Sequence, residues 1–428
     1  MAQGRDETEA GTGARAGGSL FADAGLTGVT VGVLALLSAI NALSTSAYLP
    51  ALPTVAADLG ASTSSTQLTL TAYLLGIAVG QLTWGPLSDA VGRRRPLLVG
   101  LVCYIAASLL CAAAPSIGLL FVFRAVQGWA ACSGQVLSRA VVADHASGTR
   151  LAQLITVLML MGVIAPVAAP LIGSGLLLVG SWRTVFIFLA LMGLPMVVGV
   201  ILTVDESLPE ARRRRGGLGE LGRTVGGLIT NRRFVGYAVA LSSGFSTMFV
   251  FMAAAPFLFQ TRLGLSAQQY AWVNAGIATG LGVSMALVHR HLGRQARDGV
   301  ANPAGTARFG IAALLLGTCS TLAASLLDAP LAVWIVVLLL TVGSLAPIMG
   351  STMSLALGES SHAIGTGTAV VGVLQAMLGA LAAPLVGLGG PEATLPMALT
   401  MVGAACVSGA AFLTARRAPP LSDRRAPG

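Results

Sequence analysis

The chain has 428 residues, of which 55% are hydrophobic and only 10% charged, giving a mean hydropathy of +0.83. No water-soluble globular protein of this size could hide so much apolar surface, so the composition points to a polytopic membrane protein. The net charge of +9 comes from 25 basic residues that are all arginine. They cluster in short loops between apolar runs, which fits membrane topology and not nucleic-acid binding.

Residues 1–25 are polar and Gly-rich, with Arg5, Asp6, Glu7, Glu9 and Arg15 mixing both signs of charge. They read as a disordered cytoplasmic tail and not as a cleavable signal, because the first apolar run is too long for one and leads straight into further runs. Twelve apolar runs follow, each of ~20 residues or somewhat more, as a tilted helix across the bilayer requires. The first six cover Gly28 to Pro50, Thr66 to Trp84, Leu97 to Ala114, Ile117 to Val141, Leu151 to Val179 and Arg183 to Val204. After a polar break come Phe234 to Gln260, Tyr270 to His289, Arg308 to Leu327, Leu331 to Leu357, Ala363 to Leu388 and Thr394 to Thr414. We number these spans one to twelve.

Between spans two and three lies G-P-L-S-D-A-V-G-R-R-R-P, from Gly85 to Pro96. It is expected to form a tight hairpin at the membrane surface. Gly85 would let another helix lie close, and Asp89 would pair with an arginine or a helix N-terminus. Gly92 suits a sharp turn, while Arg93, Arg94 and Arg95 hold the loop on the cytoplasmic side. A purely topogenic loop would need the arginines but not the Asp. Span four carries Arg124 in R-A-V-Q-G, together with Gln127. A charge at depth costs about 2.5–3.5 kcal/mol on insertion scales, so Arg124 should face a cavity or partners unless it snorkels.

Span five holds M-G-V-I-A-P-V-A-A-P-L-I-G, with Pro166 and Pro170 one turn apart and Gly173 just beyond. Proline removes backbone donors and bends helices, so this run reads as a structural kink or as a hinge between halves. Residues 205–233, with Arg212 to Arg215, form the longest interior polar segment and the natural boundary between a six-helix half at 26–204 and another at 234–414. This linker reads as a solvated segment near anionic lipid. The repeat implied by six plus six is faint, since the echo of Gly92-Arg93 at Gly293-Arg294 has Arg290 where Asp89 would fall and Ala286 for Gly85. Residues 415–428 read as a second cytoplasmic tail.

Arginine placement sets the orientation. With the N-terminus inside, only Arg183 and Arg262 would face outward and Arg124 lies within a span, while all other arginines fall on the cytoplasmic side. The chain therefore reads as a multi-pass protein of the cell (plasma or inner) membrane with both termini cytoplasmic. Cys103, Cys111, Cys132, Cys319 and Cys406 all fall in apolar runs without C-x-x-C spacing, so neither disulfides nor a metal site is expected. No catalytic triad, Walker loop or metal-spaced cluster occurs, which argues against an enzyme, a cofactor or ATP as energy source.

The string from Gly85 to Arg94 resembles the latch loop of major facilitator transporters, and R-x-x-Q-G resembles their span-four motif associated with coupling. Y-L-P-A-L-P (Tyr48 to Pro53), Q-L-x-x-G-P-L-S-D (Gln81 to Asp89), A-P-x-x-A-P-x-x-G (Ala165 to Gly173) and S-W-R-x-x-F (Ser181 to Phe186) resemble the Bcr/CflA family of drug exporters. A-A-A-P-F (Ala253 to Phe257), Asn274 and G-T-G-T-A (Gly365 to Ala369) agree in the second half. The resemblance implies an all-α membrane protein of twelve transmembrane helices in two six-helix halves, the major facilitator fold. It implies proton-driven, alternating-access export of small amphiphilic molecules, with the latch acting between the halves. It also implies a mid-membrane cavity for which Ser46, Tyr48, Gln67, Tyr73, Arg124, Phe249, Met252 and Asn274 are candidate lining residues.

One position departs from the family pattern. Relatives usually carry an acid two residues before the Tyr of Y-L-P, and Ser46 stands there. No acid falls mid-span, so a coupling proton would have to use a peripheral carboxylate such as Asp58, Asp89 or Asp144. With Arg124 the one deep charge, the expected cargo is neutral or weakly acidic. Two other readings are a transporter of a native metabolite with incidental drug efflux, and a non-transporting membrane sensor on a transporter scaffold.

Overall fold

In the computed structural model, the described residues are 26–213, 218–297, 302–360, 364–390 and 392–418. The whole predicted N-terminal tail, residues 419–428 of the predicted C-terminal tail, and Arg214 and Arg215 of the arginine run lie outside these residues. Among the described residues, twelve helices are long and apolar enough to cross a membrane. They correspond one to one with the twelve apolar runs.

Local chemistry sets the helix starts. Thr27, Ser62, Ser116, Asn231 and Asn302 cap the first turns of spans one, two, four, seven and nine, each side-chain oxygen accepting a backbone N–H. At span eight Ser266 and Gln269 form a reciprocal capping box, each side chain accepting the other's backbone N–H at 3.2 and 2.9 Å.

Several spans run past the hydrocarbon length, and this corrects the predicted hairpin. Span two continues over Thr63–Val91 and span three begins within Arg94–Ala112. The turn is therefore only Gly92 and Arg93, and Gly85, Pro86 and Asp89 belong to the last two turns of a helix. Gly85 faces open space and has no close helix neighbour. Gly92 carries the turn with φ +100°, a value that L side chains rarely adopt, and a Cβ there would also run into the Glu206 carboxylate. Span one likewise continues through a short 3-10 turn, Leu49–Ala51, into Leu52–Asp58, so Asp58 ends a helix and does not sit in a loop.

Proline shapes two spans of the second half. Span ten breaks at Ser344 between Leu331–Gly343 and Leu345–Gly358. Pro347 cannot donate to the Gly343 carbonyl, and the Ser284 hydroxyl of span eight takes that acceptor at 2.8 Å. Span seven passes Pro256 and ends in a π-helical turn, Phe257–Arg262. By contrast, Pro166 and Pro170 both lie inside the uninterrupted helix Gly148–Val179.

The loops at 58–63, 112–117, 179–183, 262–267, 326–331 and 386–395 share one end of the bundle, here the Asp58 end. The opposite end carries Arg93. At the Asp58 end an arginine ties three helix ends together in each half. Arg183, opening span six, pairs with Asp58 of span one at 2.6 Å and donates to the Ala114 carbonyl after span three. Arg262, closing span seven, pairs with Asp328 after span nine and donates to Thr394 at the start of span twelve. Spans one, three and six thus correspond to seven, nine and twelve, and the repeat that is faint in sequence is plain in the fold.

The apolar core is asymmetric. One cluster runs through the whole first half and extends into the Asp58-end portion of the second, through Phe251, Phe259, Tyr270, Trp334 and Met397. The Arg93-end portion of the second half forms a cluster of its own around Phe234, Tyr237, Ile311, Ile348 and Phe412. The linker adds a helix, Leu218–Thr230, whose Leu228 joins that second cluster.

Candidate functional site

Arg124 is fully buried at the centre of the first half. Its guanidinium lies 4.2 Å from the Tyr73 ring centroid, 4.9 Å from Tyr48 and 5.7 Å from Phe186. Cation–π attraction of this kind offsets part of the cost of burying a charge. Its Nη1 donates to Gln127 Oε1 at 2.7 Å and to the Ser44 carbonyl at 3.4 Å. Gln127 in turn donates to Ser108 at 2.7 Å, and Tyr104 shares a 2.7 Å hydrogen bond with Ser44. The guanidinium Nε and Nη2 have no hydrogen-bond partner among the described residues.

R-x-x-Q-G can now be read physically. Arg and Gln, three residues apart on one helix face, enter the same cage. The glycine lets span two close on span four, since a Cβ at Gly128 would meet the Tyr73 carbonyl and one at Gly76 the Ala125 carbonyl. S-W-R-x-x-F is similarly divided. Trp182 donates to Asp58 at 2.9 Å, Arg183 pairs with the same carboxylate, and Phe186 closes the cage 5.2 Å from Tyr48.

Of the predicted lining residues, Tyr48 and Tyr73 form the cage, and their hydroxyls reach Thr69 at 3.0 Å and Asn41 at 2.9 Å. Ser46 is buried on span one between Ser44 and Tyr48, the two span-one residues that touch Arg124. Gln67 lies elsewhere, on the seam between halves. There it donates to the Ala253 carbonyl at 3.0 Å. Phe249 packs on Gly379 of span eleven and stacks edge-on with Phe245. Met252 is half-buried and Asn274 buried. Gly173 meets the Ala47 carbonyl, which brings span five against span one beside Ser46. Residues not singled out from the sequence complete the site: Tyr104, Ser108, Phe186 and Gln135. Tyr104 and Ser108 carried a signal, polar groups four apart in an otherwise apolar run. Gln135 accepts from Asn41 at 2.9 Å.

The latch residues gather around Arg93. Its guanidinium pairs with Asp89 at 2.5 Å and Asp144 at 3.1 Å and donates to Ser88. Burial works against that charge, but the hydrogen bond and charge of Asp144, with those of Asp89, hold Arg93 above its ordinary pKa. Glu206 accepts the backbone N–H of Arg93 at 2.7 Å and of Arg94 at 3.3 Å. Arg94 donates to the Ile201 carbonyl, and Ser207 donates to Asp144. Asp89 is thus paired within its own half, and Asp144 joins Arg93 rather than the Arg124 cage.

Among the described residues, hydrogen bonds join the halves from mid-bundle to the Asp58 end. They run from Gln67 to Ala253, from Thr71 to the Ala380 carbonyl at 3.1 Å, and from Gln260 to the Pro50 carbonyl at 3.1 Å. Gly387 sits directly on Ser64 there. A cysteine pair at Ser64 and Gly387, with the five natural cysteines replaced, should therefore cross-link under mild oxidation and arrest turnover. Rapid turnover by fully cross-linked protein would mean that this seam does not part.

Two six-helix halves, the first holding a buried polar cage and the two bonded to each other towards one end, have the architecture of an alternating-access carrier. The Major Facilitator Superfamily profile matches residues 34–384, and the chain belongs to that superfamily. Similar curated proteins include an uncharacterized MFS-type transporter, YdgK, of Bacillus subtilis, 32% identical over 77% of this chain and 81% of its own. They also include the chloramphenicol resistance protein of Pseudomonas aeruginosa, 32% identical over 62% and 61%. The bicyclomycin resistance protein homolog of Haemophilus influenzae is 29% identical over 56% and 60%. The matches to these two resistance proteins span about three fifths of each relative's length. Among solved structures, a bacterial homolog of the human lysosomal transporter Spinster superposes with a TM-score of 0.72 at 16% identity, covering 93% of this chain and 98% of that one. The D-xylose–proton symporter gives 0.69 at 15% identity, over 89% and 96%. Both likenesses concern the fold.

Proposed function

We propose that the protein exports small neutral or weakly acidic amphiphiles from the cytoplasm by alternating access, with protons as the coupling ion. The Arg93 end is taken as cytoplasmic because arginines crowd its loops. The hydrogen bonds between the halves run from mid-bundle to the Asp58 end, which supports reading the conformation as one that faces the cytoplasm. The observation that carries the reading is the Arg124 cage. The deep charge of the bundle is a cation walled by aromatic rings, and no acid lies on that cage among the described residues. A lipophilic cation placed there would face repulsion without a counter-charge. Relatives named for chloramphenicol and bicyclomycin resistance support small uncharged cargo. Protons would be handled at Asp89, Asp144 or Asp58.

In an efflux-deficient host the protein should lower chloramphenicol accumulation several-fold and leave ethidium and tetraphenylphosphonium near control levels. Ser46→Asp should add export of the cations. Efficient clearance of both cations by the native chain, unimproved by Ser46→Asp, would refute this selectivity.

A further inference from the structure

We infer that the Arg124 cage is a carboxylate site, and that the preferred cargo is an amphiphile carrying a deprotonated carboxyl group on an aromatic body. This deepens the exporter reading and rests on it for the direction of transport. The two guanidinium nitrogens without a protein partner are Nε and Nη2. They are neighbours on one edge of the guanidinium, and their N–H bonds point the same way. That edge is the side-on fork that takes both oxygens of a planar carboxylate. Gln127 and Ser44 occupy Nη1, and the aromatic rings of Tyr73, Tyr48 and Phe186 lie around the guanidinium. Both nitrogens are closed off from solvent, so an in-plane anion would take the fork as the cage opens during the cycle.

The protein's own acids do not fill it. The acids of the described ion pairs stand with Arg93, Arg183, Arg213, Arg233 and Arg262, all towards the bundle ends. The span-one segment that touches Arg124 supplies Ser46 and no carboxylate. A buried guanidinium with three of its five N–H donors on unpartnered nitrogens is costly, so a ligand that matches them gains both hydrogen bonds and neutralisation. A polar ladder leads to the cage from the Arg93 end. Half-buried Gln135 bonds Asn41, Asn41 bonds the Tyr73 hydroxyl, and the Tyr73 ring covers Arg124.

Benzoate is the probe, with benzamide as its neutral isostere, formate as a carboxylate without the ring, and chloride as an anion without the fork geometry. Full-length protein in detergent is heated with each, and the ligand concentration giving half-maximal thermal protection is read. Benzoate should protect at concentrations at least tenfold below benzamide and formate, with chloride inert. Arg124→Lys keeps the charge but lacks the fork, and should raise the benzoate requirement at least tenfold. Should that variant fail to fold, the ranking of the four probes on the native chain decides alone. Equal protection by benzoate and benzamide overturns the carboxylate site, and equal protection by formate and benzoate overturns the aromatic cargo. Chloramphenicol efflux from the same cells is scored separately, so a failed exporter reading and a failed carboxylate site give different results.

Discussion

Arg93→Gln should abolish drug export while the protein still inserts in the membrane. Arg93 pairs with both Asp89 and Asp144, and its side chain is only 11% exposed. Its loss takes this partner from both carboxylates, one of them Asp144, 18% exposed and bonded to Ser207. Breaking a buried pair on one side costs about 3–5 kcal/mol, enough to move a balanced two-state equilibrium by two orders of magnitude or more. The acids should rank by burial. Asp144→Asn should lower the thermal midpoint of purified protein more than Asp89→Asn, because Asp89 is 48% exposed and solvent screens its pair. Efflux rates per molecule in the membrane, with melting curves alongside, test both statements. Normal export by well-inserted Arg93→Gln would reduce the cluster to a determinant of topology.

Gly128→Val should remove most folded protein. Spans two and four approach so closely that a Cβ at Gly128 meets the Tyr73 carbonyl, and Gly76 meets the Ala125 carbonyl in return. Backbone cannot yield as a side-chain tip can, so overpacking here exceeds the usual cost of about 1–3 kcal/mol. It would also push Tyr73 off Arg124 and unstack the cage. The monodisperse peak in size-exclusion chromatography should fall several-fold for Gly128→Val and Gly76→Val. Gly175→Ala, which meets nothing within 4 Å, should keep it. Equal yields from all three would show that the spans separate freely.

The spans were legible because hydrocarbon thickness fixes run length and composition, and both show in a single chain. So were Arg124 and Gln127, since three residues on a helix share a face whatever surrounds it. What stayed hidden depends on which helices touch. Asp144 lies 51 residues from its partner Arg93, and Glu206 lies 113 from the backbone N–H it accepts. No spacing rule joins them. Phe186 looked like part of a motif, but only the packing of span six on span one makes it a wall of the cage. Gly85 misled because small residues permit close approach without requiring it.

The lopsided core ties turnover to temperature. For the carrier to reverse, the apolar seam shared at the Asp58 end must be wetted, while the two inner cores, now separate, are pressed together and dried. Water against apolar surface carries a large heat capacity, so any mismatch in area between the two seams appears as a heat-capacity difference between the conformers. The balance between them then follows a curve with a turning point and not a straight line in temperature. Cooling a membrane would bias which face the carrier shows as well as slow it.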